Sequence, residues 1–131
     1  MKRVLLSFLS LVLCVFLLTG CSDKPFIVFN SEPITPESQY QYTFPVSKRI
    51  YYAVVMPKGF KDKVIKIQVF KKDETSDFWG YSYVTNRTVE LRHDKFYRDY
   101  MVLHQTGRYA MQVFYLSNLH KPLMVADFWV R

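Results

Sequence analysis

Two hydrophobic patterns divide the chain. From Val4 to Leu18 apolar residues run almost unbroken, interrupted only by Ser7, Ser10 and Cys14. From Phe26 onward they come in short blocks, and no stretch there repeats apolar residues at helical spacing. The blocks predict strands. Phe26 to Phe29 is a brief apolar run, followed by a loop through Pro33 and Pro36. Gln39 to Phe44 alternates, which predicts Tyr40, Tyr42 and Phe44 on one face. Ile50 to Met56 is densely apolar and closes on Pro57-Lys58-Gly59, a turn signal. Val64 to Phe70 sets Ile65, Ile67 and Val69 against Lys66 and Gln68, and a polar loop from Lys71 to Asp77 follows. Phe78 to Val84 and Thr88 to Leu91 read as two runs flanking a turn at Asn86. Tyr97 to Leu103, Tyr109 to Leu116 and Leu123 to Val130 complete the set. In the last, Met124, Ala126, Phe128 and Val130 oppose Val125, Asp127 and Trp129.

Short strands at intervals of roughly 8 to 15 residues predict an all-β domain, either a β-sandwich or a small barrel. The segment Gly107-Arg108-Tyr109-Ala110-Met111-Gln112-Val113 resembles the corner and sixth strand of immunoglobulin-like sandwiches. In that family a tyrosine opens the strand and caps the preceding loop. Met111 stands where antibody-type domains carry a cysteine, so the resemblance is to the sandwich without its inter-sheet disulfide.

The first hydrophobic block has a different meaning. Met1-Lys2-Arg3 places positive charge before it, and it is short for a spanning helix, which needs roughly 20 apolar residues. It ends in Leu18-Thr19-Gly20-Cys21, which resembles the lipobox of bacterial lipoproteins. The resemblance implies cleavage between Gly20 and Cys21. It also implies a diacylglyceryl group on the Cys21 sulfur, with fatty acyl chains such as palmitate. An uncleaved N-terminal membrane helix is the alternative. The expected organisation is a signal helix over residues 1–20, a lipidated tether over 21–25 and one β-sandwich domain over 26–131. Ser22, rather than aspartate, follows the lipidated position. In the enterobacterial sorting rule this favours the outer over the inner membrane of a two-membrane envelope.

That reading changes the cysteine and charge accounts. Cys14 leaves with the signal and the Cys21 thiol is capped, so the mature domain has no thiol or disulfide chemistry. Loss of Lys2 and Arg3 lowers the formal charge from +7 to +5, which suits anionic head groups or simple solubility. An address outside the cytoplasm excludes nucleic acid as a partner. His93, His104 and His120 form no metal-binding pair, and no Gly-rich phosphate loop or G-x-S-x-G elbow is present. No cofactor beyond the lipid is expected. The acids of Asp73-Glu74-Thr75-Ser76-Asp77 read as a solvated hairpin tip, and Asn86-Arg87-Thr88 reads as turn chemistry rather than a glycosylation site.

Aromatic residues are abundant: 11 Phe, 10 Tyr and 2 Trp. Many must lie in the core, and the informative question is which lie outside it. Alternation aligns Trp79, Tyr81 and Tyr83 on one face, either inward as core or outward as a platform for sugar rings or a partner. Lys58, Lys61, Lys63, Lys66, Lys71 and Lys72 form a basic segment. It reads as a solvated face guarding an edge, or as a docking surface in which Lys66, Lys71 and Lys72 take part. Three functions follow. The first is a lipid-anchored envelope protein with a non-catalytic binding or assembly role, its partner a protein or glycan. The second is a carbohydrate- or peptidoglycan-binding module using an aromatic strand face. The third is a small envelope enzyme, which needs a site assembled in three dimensions.

Overall fold

The computed structural model describes residues 23–72 and 81–131, the first three of the second stretch by backbone alone. Gly20, Cys21, the acidic cluster and Trp79 lie outside the described residues. Eight strands follow in chain order: β1 (Phe26–Asn30), β2 (Thr43–Phe44), β3 (Arg49–Val55), β4 (Val64–Lys72), β5 (Tyr81–Glu90), β6 (Phe96–Val102), β7 (Gly107–Tyr115) and β8 (Met124–Val130). They build a three-stranded sheet in the order β1-β3-β6 and a five-stranded sheet in the order β2-β8-β7-β4-β5. The two sheets form a sandwich and do not close into a barrel. All pairings are antiparallel except that of β2 with β8.

The core lies between the sheets and follows the alternation of the sequence. Ile50, Tyr52 and Val54 of β3 face Ile65, Ile67 and Val69 of β4, with Met111 and Val113 of β7, and all are buried. Each such side chain contributes about 1.5–3 kcal/mol by leaving water. Phe128 is the centre of an aromatic box. Its ring lies 4.8 Å from Phe29, 5.5 Å from Tyr109 and 6.3 Å from Phe44, so it joins β8 to β1, β7 and β2. Tyr109 is the third residue of β7, and its hydroxyl donates to the Gln105 carbonyl at 2.7 Å, which ties down the loop before the strand. At Gly107 a Cβ would come within 2.8 Å of Lys71 Cε, so the missing side chain lets the lysine stem pack against the corner.

Three expectations are corrected. Asn86 is no turn: it pairs with Gln68 in the middle of β5, which runs as one strand where the sequence suggests two. A one-residue bulge opposite Val69 and Phe70 restores its register. The second concerns Gln39 to Phe44, of which only Thr43–Phe44 is strand. Phe44 enters the core, while Tyr40 and Tyr42 stay in solvent, because regular pairing begins only where the chain meets β8. The third concerns Lys66, Lys71 and Lys72, which guard no edge, since β4 lies between β7 and β5.

The edge strands β5 and β6 are guarded by charges placed inward. Arg87 pairs across β5 with buried Ile67, Asp99 pairs across β6 with buried Tyr52, and the two form an ion pair between the sheets. The Tyr97 hydroxyl donates to Asp99 Oδ2 at 2.7 Å. Burial, and then this bond to a carboxylate, push the Tyr97 hydroxyl pKa up to about 12. Burial also raises that of Tyr52, with Tyr97 and Asp99 adding to it.

Candidate binding cleft

The outer face of the three-stranded sheet is not left to water. Phe26 and Val28 of β1, Ala53 and Val55 of β3, and Phe96 and Arg98 of β6 share that face by register. Val28 and Ala53 are nonetheless buried. The cover is the segment between β1 and β2, which crosses the sheet and is fastened along its length. Asn30 Nδ2 donates to the Gln39 carbonyl at 2.8 Å, the Gln41 N–H to the Phe29 carbonyl at 3.0 Å, and Arg98 Nη1 to the Ile34 carbonyl at 3.1 Å. Within it, the Thr35 N–H donates to Ser38 Oγ at 2.8 Å and the Ser38 N–H to the Thr35 carbonyl at 3.0 Å.

Between this segment and the sheet lies a cleft of about 440 Å³. Its floor is Val28, Ala53 and Val55; its walls are Phe26, Ile34, Pro36, Tyr40, Phe96 and Arg98. Ala53, a small residue on the central strand β3, lies in that floor. The volume lies within the range of small-ligand sites, roughly 300–1,000 Å³, and the lining is apolar with few polar groups, as in such sites. Those groups are the Thr35 and Ser38 hydroxyls and the Arg98 guanidinium, which lies 5.1 Å from the Phe96 ring centre.

Beside the cleft two tyrosines stack in the open. The Tyr40 and Tyr42 rings are 6.2 Å apart with planes 7° from parallel, and these residues are 51% and 56% exposed. Phe26 approaches Tyr40 at 6.4 Å and continues the aromatic surface into the cleft. Partial burial, and then proximity to Tyr42, raise the Tyr40 pKa above the ordinary tyrosine value. An apolar hollow with an exposed aromatic rim can bind a flat, partly apolar ligand. The lining holds no carboxylate, imidazole or thiol, and its hydroxyls are those of Thr35, Ser38 and Tyr40. Among the described residues no group of three or more His, Cys, Asp or Glu could hold a metal ion.

The residues singled out from the sequence lie elsewhere. Tyr81 and Tyr83 pair with Lys72 and Phe70 along β5, and their side chains lie outside the description, as does Trp79. Lys66 and Lys72 are half-buried on the outer face of the five-stranded sheet, away from the cleft. Lys71 faces the other way, and its Nζ donates to Gln105 Oε1 at 3.1 Å. The cleft residues themselves carry one signal in the sequence. Phe26 to Phe29 and Ile50 to Met56 are continuously apolar rather than alternating, which marks strands covered on both faces.

No family model matches the chain, and no curated protein matches it. Among solved structures, the soluble domain of PmoD from Methylocystis sp. matches with a TM-score of 0.52 at 14% identity, over 84% of this chain and 93% of that one. An immunoglobulin-like protein from Pseudomonas aeruginosa matches at 0.48 and 12%, over 81% and 92% of the two chains. Superoxide reductase (neelaredoxin) from Ignicoccus hospitalis matches at 0.47 and 11%, over 82% and 80% of the two chains. At such identities the likeness concerns the fold alone.

Proposed function

We propose that this chain is a lipid-anchored bacterial envelope protein whose domain binds carbohydrate without catalysis, and that the cleft over Ala53 with its tyrosine rim is the site. The observation that carries the reading is the stacked Tyr40–Tyr42 pair, more than half exposed, of which Tyr40 lines the apolar hollow. Exposed aromatic rings cost solvation unless a ligand covers them. A pyranose ring offers an apolar C–H face to lie on such rings, and its hydroxyls find Thr35, Ser38 and Arg98 at the wall. The proposed site is an aromatic surface built from Phe26, Tyr40 and Tyr42; Trp79 and the Tyr81 and Tyr83 side chains, weighed from the sequence as core or platform, lie outside the described residues. The anchor rests on Leu18-Thr19-Gly20-Cys21, and Ser22 favours the outer membrane. An envelope glycan such as peptidoglycan is then the accessible ligand.

The assembly reading has less support. Strand addition at the free edge of β6 would have to displace or accommodate Arg98 and the Asp99–Arg87 pair, and charges at an edge oppose such pairing. Co-sedimentation with insoluble polysaccharides, peptidoglycan included, tests the proposal. Retention of the wild-type chain and its loss in the Tyr40→Ala, Tyr42→Ala double variant is the expected result; equal behaviour of the two chains rejects the site.

A further inference from the structure

Three loops and the N-terminal tether gather at one end of the sandwich. Residues 56–63 join β3 to β4 there, residues 91–95 join β5 to β6, and residues 116–123 join β7 to β8. The first two loops are knitted by the Met56 N–H to the Lys95 carbonyl at 2.7 Å and the Phe60 N–H to the Asp94 carbonyl at 2.6 Å. The Lys61 N–H reaches the Tyr115 hydroxyl at 2.9 Å and ties them to the end of β7. The tether enters at the same end, since Phe26 pairs with Val55, and the Asp23 carboxylate lies 3.9 Å from the Lys58 ammonium.

Lys58, Lys61, Lys63, Arg92, Lys95 and Lys121 are all exposed on these loops, and Lys24 on the tether joins them. Four acids share the end. Asp23 is held by Lys58, Asp62 accepts the Ser117 hydroxyl at 2.8 Å, and Glu90 and Asp94 complete the set. A positive excess survives them. Among the cations, Leu116 and Leu119 stand out from the third loop, each 45% exposed. Cations around protruding leucines match an anionic bilayer surface, where lysines meet head groups and apolar tips enter the acyl boundary.

We propose that this loop end is a second membrane contact, which docks onto anionic lipid head groups beside the anchor. The proposal rests on the lipid-anchor reading, because a tether from Ser22 to Pro25 spans at most about 14 Å and holds the loops against the bilayer. Docking stands the strands away from the membrane and turns the outer face of β1-β3-β6 sideways, with the Phe26, Val55 and Phe96 end of its cleft nearest the bilayer.

The full chain, expressed in a bacterium and purified from its membranes, is reconstituted into vesicles of neutral lipid alone or with about a third anionic lipid. Lysine acylation is then read residue by residue by mass spectrometry. On anionic vesicles Lys58, Lys61, Lys95 and Lys121 should label several-fold more slowly than on neutral ones, while Lys48 and Lys66 do not change. Protection should vanish in about 1 M salt, where the screening length is about 3 Å. It should also vanish for the remaining loop lysines in a Lys58→Glu, Lys61→Glu, Lys121→Glu variant. Equal labelling on both vesicles by a chain whose mass includes the lipid overturns the docking and leaves the anchor standing. A chain whose mass shows no lipid overturns the anchor, and the docking with it.

Discussion

Replacing Phe128 by Leu tests whether the aromatic box holds the two sheets and, through β1, the cleft. The substitution keeps an apolar side chain of nearly the same reach, so little transfer free energy is lost. What disappears are the ring contacts to Phe29, Tyr109 and Phe44 at 4.8, 5.5 and 6.3 Å. Aromatic pairs contribute about 0.5–1.5 kcal/mol each beyond burial, and neighbours sharing one ring do not add fully. The expected loss is about 2 kcal/mol. That is a large share of the 5–15 kcal/mol typical of a domain, yet it leaves the protein folded, whereas Phe128→Ala at about 3–5 kcal/mol could not be relied on to do so. Urea unfolding read by tyrosine fluorescence is the assay. The midpoint should fall by about 1 M with an unchanged slope, and a thermal scan should fall by roughly 10 °C. Val28, on the opposite face of β1 from Phe29, floors the cleft, so ligand binding should weaken as well. A loss below about 0.5 kcal/mol would refute the box as the junction of β1, β2, β7 and β8.

Three further outcomes follow from the same geometry. Tyr109→Phe should cost about 1 kcal/mol by removing the bond to the Gln105 carbonyl, near the middle of the usual range because exposed Gln105 can turn to water; chemical denaturation measures it. Above pH 10 the unfolded chain ionises its tyrosines first while Tyr97 stays protonated to about pH 12. Stability present below pH 10 should therefore fall as pH rises through that window, and Tyr97→Phe should flatten the fall in pH-dependent unfolding. Arg87→Met leaves the Asp99 carboxylate between the sheets without its cation and should destabilise more than the double change Arg87→Met, Asp99→Leu, a comparison made by a double-mutant cycle.

The strands were legible wherever one face meets the core. Met124, Phe128 and Val130 are buried and Val125 is exposed, as their alternation predicts, and Tyr109 caps its loop as the corner motif implies. Local signals failed where tertiary pairing overrode them. Asn86 is a good turn residue in isolation, but Thr85 and Thr88 suit a strand and Gln68 lies opposite to complete the ladder. Tyr40 and Tyr42 match Phe44 in parity, yet parity means nothing before the chain becomes regular at Thr43. The cleft was the least legible feature. It depends on a segment folded across a sheet and held by contacts such as Arg98 to Ile34, 64 residues apart, which no window along the chain contains.

The most direct test of the central claim is a nuclear magnetic resonance titration of the domain with soluble peptidoglycan fragments and unrelated oligosaccharides. Binding at the cleft predicts saturable shifts confined to Phe26, Val28, Ala53, Phe96 and the segment carrying Tyr40 and Tyr42. It also predicts their loss when Ala53→Leu fills the floor while the rest of the spectrum is retained. Shifts that fall on the five-stranded sheet, or that survive Ala53→Leu unchanged, would contradict it.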